Sequence, residues 1–134
     1  MIDYESMSDF EINKAVAFSL RYLVKTDFEQ GLGGFTENYH RKYPNTIWAA
    51  KTDDSGEQCE AWEQMNFCAE PQDSWPIIAD NMISIEFDVE TNCDKPAAWC
   101  NASSPCGKEI LHQNYKKPLR AAMIVYLMMN EVEQ

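Results

Sequence analysis

The sequence predicts an α+β fold: a small antiparallel sheet packed with an N-terminal helix and a buried C-terminal helix. Three observations carry this. Ser8 to Lys25 repeats apolar residues at helical spacing behind a capping sequence. Met82 to Glu90 alternates apolar and acidic residues with the period of a strand. Leu119 to Met129 is apolar almost all round, the signature of a helix buried on most sides. The 134 residues are expected to form a single domain, 1–134, which at that size buries roughly two-thirds of the surface its unfolded chain exposes. A hydrophobic fraction of 45% is too high for a disordered chain.

The first helix is the best signalled element. Ser8 is a good N-cap and Glu11, three residues on, completes a capping box. Met7 and Ile12 take the two positions of a hydrophobic staple, and Ile12, Ala15, Val16, Leu20 and Leu23 share one face. Helix is expected over 8–25, ending before the glycine-rich "EQGLGGF". "TIWAAK", Thr46 to Lys51, reads as a strand, and "TDDSGE" as a turn. "QCEAWEQM" returns as the second strand of a hairpin. A short helix follows near 74–81, capped at Asp73 or Ser74, because Pro76 is tolerated only within a first turn.

"MISIEFDVE" is the clearest strand, with Ile83, Ile85, Phe87 and Val89 inward and Ser84, Glu86, Asp88 and Glu90 outward. "PAAWCNA" reads as a further strand and "SSPCGKE" as a loop. Pro118 suits the first turn of the last helix. Burying its Leu, Met, Ile and Val side chains, at about 1.5–3 kcal/mol each, makes it the expected centre of the core. A helix lent to a partner or to a dimer is the alternative.

The formal net charge is −11, and its distribution is uneven. Thr52 to Asp94 holds twelve acids and no Lys, Arg or His, while the rest of the chain is close to neutral. Direct nucleic-acid binding is not expected, because phosphate contacts need clustered cations. A basic protein partner is expected instead, steered by a concentrated negative field. The residues that would meet it are Asp53, Asp54, Glu57, Glu60, Trp62, Glu63, Glu70, Asp73, Glu86, Asp88 and Glu90. Phe67 and Trp75 also lie among the acids, and aromatic anchors ringed by charge are usual at tight interfaces. The plainer reading is that acidity serves solubility and that Trp48, Trp62, Trp75 and Trp99 are core aromatics.

No catalytic signature stands out, and the chain is not expected to be an enzyme. Cys93, Cys100, Cys106 and His112 offer soft ligands but no closely spaced cysteine pair, so neither a metal nor a cofactor is expected. Asp53, Asp54 and Glu57 miss the calcium-loop spacing. His40 and His112 could supply acid–base chemistry with Lys42 or Lys117, but the field there repels phosphate. The N-terminus lacks the pattern of a secretory signal, and the longest apolar run, nine residues, falls short of the roughly 20 a membrane helix needs. A cytoplasmic protein with five reduced cysteines, monomeric or weakly dimeric, is therefore expected.

Three blocks resemble one family. "SDFEINKAV", "CAEPQDSWPIIADNMISI" and "KPLRAAMIVYLMM" occur in the order found in the phage NinX-like family, small proteins of lambdoid phages and prophages. The resemblance implies a short α+β protein encoded by mobile DNA and brings no catalytic residues. It suggests an inhibitor or immunity-type protein that occludes the nucleic-acid-binding surface of a nuclease toxin or defence nuclease. The alternative is an accessory protein of phage DNA or RNA metabolism, acting as a subunit without its own catalysis.

Overall fold

The computed structural model describes residues 3–25, 46–90, 97–107, 110–114 and 116–131. The fold is α+β and forms two compact units, Met1–Asn66 and Phe67–Gln134, each with its own small antiparallel sheet.

In the first unit a short 3-10 turn, Tyr4–Ser6, precedes helix α1, Asp9–Ser19. The capping box forms as expected: the Glu11 amide donates to Ser8 Oγ at 3.1 Å, and the Ser8 amide donates to Glu11 Oε1 at 3.3 Å. The helix ends six residues before the expected Lys25. Arg21 adopts a left-handed conformation (φ 64°). Its amide donates to the Phe18 carbonyl at 3.0 Å, and the Tyr22 amide donates to the Ala17 carbonyl at 2.9 Å. These bonds satisfy carbonyls that a continuing helix would have used, and the chain turns into strand β1, Leu23–Lys25. β1 pairs with β2, Ile47–Ala50, which pairs in turn with β3, Glu63–Met65. α1 packs on β1 and β2. Ile12, Val16 and Ala17 are buried, as is every residue of β2. β2 matches the strand expected at Thr46 to Lys51, and the returning strand is confined to Glu63–Met65.

The second unit begins with α2, Pro71–Asp80. It starts earlier than the expected 74–81, with Glu70 at the N-cap and Pro71 in the first turn. Pro71 therefore takes the first-turn position expected for Pro76, and Pro76 lies inside the helix. α2 closes as α1 does. Met82 is left-handed (φ 53°), its amide donates to the Ala79 carbonyl at 3.2 Å, and the Ile83 amide donates to the Ile78 carbonyl at 3.0 Å.

β4, Ser84–Glu90, pairs along its whole length with β5, Ala97–Ser103. β5 then pairs with β6, Ile110–Asn114, a strand with no clear signal in the sequence. The sheet order is β4-β5-β6. The loop before β6 contains Gly107 at φ 75°, whose amide donates to the Ser104 carbonyl at 3.0 Å. Helix α3, Pro118–Met129, has Pro118 in its first turn and is buried continuously from Arg120 to Leu127. It packs on β5 and β6, more lightly on β4, and against α2. The C-terminal apolar stretch is thus a core helix of its own unit.

Candidate functional site

Twelve acids adjacent in sequence are divided between the two units. Asp53, Asp54, Glu57, Glu60 and Glu63 belong to the first, and Glu70, Asp73, Glu86, Asp88 and Glu90 to the second. Asp80 is exposed at the end of α2, and Asp94 lies outside the described residues.

In the first unit the acids sit on and beside a tight turn between β2 and β3. Asp53 builds that turn. Its Oδ1 accepts from the Ser55 hydroxyl at 2.6 Å, the Ser55 amide at 2.9 Å and the Glu57 amide at 3.1 Å. The Asp53 amide donates to the Glu57 carbonyl at 2.9 Å, and Gly56 supplies the left-handed residue at φ 88°. The Ser55 hydroxyl, and after it the Glu57 amide, hold the Asp53 carboxyl below the usual aspartate range. One oxygen of Asp53 is thus committed to local structure.

Glu60 pairs with Lys51 across the hairpin at 3.7 Å, both side chains exposed, so its charge is partly offset. Asp54, Glu57 and Glu63 are exposed and have no ion-pair partner among the described residues. Trp62, between Glu60 and Glu63 in sequence, is half-buried.

In the second unit Glu70 caps α2 by position without a side-chain hydrogen bond, and Asp73 is half-buried in the first turn. Glu86 and Asp88 are exposed on β4. Asp88 Oδ2 accepts from Asn101 Nδ2 of β5 at 3.1 Å. Glu90 ends β4.

A family model for NinX of bacteriophage P22 matches residues 3–130. The chain belongs to the NinX family. Comparison with curated proteins and with solved structures returned no match. The family match runs through the stretches between the three recognisable blocks, as well as the blocks themselves.

Two apolar expectations are corrected in this NinX-family chain. Phe67 is a buried core residue and no interface anchor, whereas Trp75 of α2 is exposed. Phe87 and Val89, expected inward, are 62% and 55% exposed. Alternation correctly grouped them on one face with Ile85, and the register pairs Phe87 with the fully buried Cys100. The face is only partly covered: α3 sits over β5 and β6, so the outer half of the edge strand protrudes beyond it. No sequence signal reports where a covering helix stops.

No group of three or more His, Cys, Asp or Glu among the described residues could hold a metal ion. In the register of β5 and β6, Cys100 pairs with Gln113 and Asn101 with His112. No disulfide joins the described cysteines Cys59, Cys68, Cys100 and Cys106. His40, "GLGGF" and Cys93 lie outside the described residues. No helix among the described residues is long and apolar enough to cross a membrane.

Proposed function

We propose that this NinX-family chain is a non-catalytic accessory protein of phage DNA or RNA metabolism, working in the host cytoplasm by binding another protein. The observation that carries this is the set of exposed carboxylates at Asp54, Glu57 and Glu63, which have no counter-ion among the described residues. A surface of that sign repels nucleic acid and attracts a basic protein. Such a chain acts on nucleic acid through the enzyme it binds. Family membership supports the phage context.

Blocking a nuclease is a second outcome of the same contact. The exposed acids favour it, because carboxylates resting on a phosphate-binding surface exclude the substrate. The two readings differ in what happens to the partner.

The test is capture of proteins from bacterial lysate on the tagged chain, bound in low salt and eluted by a salt step. The expected result is a basic nucleic-acid enzyme at one-to-one stoichiometry. Its activity is retained or redirected if the chain is an accessory subunit, and abolished if it is an inhibitor. Glu57→Lys with Glu63→Lys is expected to weaken capture by about tenfold or more and to flatten its salt dependence. Undiminished capture by the folded double variant would overturn the acidic-contact reading.

A further inference from the structure

The second unit carries a feature that the proposed function does not use. β4 is a seven-residue edge strand, and among the described strands β5 is its only neighbour. Among the described residues nothing pairs with its other edge, whose backbone N–H and C=O groups are of the kind that pair with an added strand. Natural edges are usually guarded by proline, by charged side chains (lysine above all), by a bulge or by brevity, and the only charges on β4 are the acids Glu86, Asp88 and Glu90. The sequence "SIEFDVE" contains no proline or lysine, and its register with β5 is continuous from Ser84 to Glu90.

The side chains sort by face. Phe87 and Val89 stand exposed on one face, and Glu86 and Asp88 stand exposed on the other. Neighbours two apart on a strand lie about 7 Å from each other, so each pair forms a continuous apolar or acidic stripe.

We propose that the free edge of β4 receives an extended segment of a partner protein as an antiparallel strand, basic on one face and apolar on the other. Backbone pairing supplies the adhesion, and the two stripes supply the selection. Lys or Arg lies opposite Glu86 and Asp88, and apolar residues lie opposite Phe87 and Val89, because directly opposed residues share a face.

The charge pattern disfavours a second copy of the chain. Antiparallel pairing of β4 with itself in one set of registers opposes acid to acid. In the other set it seats Glu86 and Asp88 beside Phe87 and Val89. Either arrangement is destabilising. This inference goes beyond the acidic surface of the first unit and stands or falls separately from it.

The probe is a fluorescent ten-residue peptide alternating lysine and valine, titrated into the full chain at physiological salt. The controls are a peptide of the same composition in two blocks, and two versions N-methylated on alternate amides, one set each. An added strand uses only every second amide toward its neighbour, so one N-methylated version is expected to lose binding and the other to keep it. The block peptide, Phe87→Ala and Glu86→Lys are each expected to weaken binding by about tenfold or more.

Equal binding of the block peptide, or equal loss with both N-methylated versions, would overturn the proposal in favour of charge attraction alone. A chain that is already a dimer, unaffected by the peptide, would overturn it in favour of self-pairing. Glu57→Gln with Glu63→Gln is expected to leave peptide binding within about twofold, since those acids belong to the other contact. Failure here therefore leaves the proposed function standing, and the converse holds.

Discussion

Asn13 of α1, completely buried, donates its side-chain amide to Oδ1 of Asn66 at 2.9 Å, joining the first helix to the residue that follows β3. The two are 53 residues apart in sequence and close the first unit end to end. A polar side chain inside a helix face is stable there because its partner is supplied by tertiary structure. Asn13→Ala removes the donor and leaves the Asn66 carbonyl short of one in a part-buried site, at an expected cost of about 1–3 kcal/mol. Urea unfolding measures it. A change within experimental scatter would mean that solvent replaces the bond without loss.

The caps at Arg21 and Met82 hold non-glycine residues in a conformation that favours glycine. Arg21→Gly and Met82→Gly are each expected to stabilise the chain by roughly 0.5–1 kcal/mol, the steric relief outweighing the added entropy of the unfolded state. Met82→Val, β-branched at a positive φ, is expected to destabilise. Thermal and urea midpoints report both. A glycine variant less stable than the parent would show that the Arg21 or Met82 side chain contributes contacts of its own.

Asp53 sets an acid limit on the β2–β3 turn. Its folded pKa lies below the ordinary aspartate value because of the Ser55 hydroxyl and then the Glu57 amide. A depressed carboxyl contributes stability that is present above the unfolded value, about 3.9, and lost as pH falls through the lower folded value. Ser55→Ala is expected to move the Asp53 titration upward toward the ordinary range, followed through its carboxyl carbon by NMR between pH 2 and about 5. An unmoved titration would assign the shift to the backbone amides alone.

Pro76 lies inside α2 and has no N–H for the Gln72 carbonyl, at a position where both residues are exposed. Pro76→Ala is expected to restore that bond and stabilise α2 by roughly 1–3 kcal/mol. Lower stability in the variant would show that the ring fixes the helix start by restricting the unfolded chain.

The legible parts of this protein are those with local causes. The capping box at Ser8 and Glu11 needs only four consecutive residues, and it forms. The period of two in β4 and the apolar belt of α3 likewise follow from side chains near in sequence. The end of α1 and the start of α2 were not legible: Arg21 stands where a glycine usually marks the stop, and Pro71 rather than Pro76 occupies the first turn. β6 was not legible either, since "ILHQN" carries neither strong alternation nor strand-forming composition beyond its first two residues.

By itself the sequence determined the secondary elements with local signals, the resemblance to the NinX family and the concentration of acid between Thr52 and Asp94. Only the tertiary structure decided how that acid is deployed. It divides the acids between two units, ties Asp53 into a turn, pairs Glu60 with Lys51 and leaves Glu57, Glu63 and Glu86 exposed. It also decided that Phe87 and Val89 face solvent. The reason is physical: periodicity determines which residues share a face, but burial depends on which other element arrives to cover it.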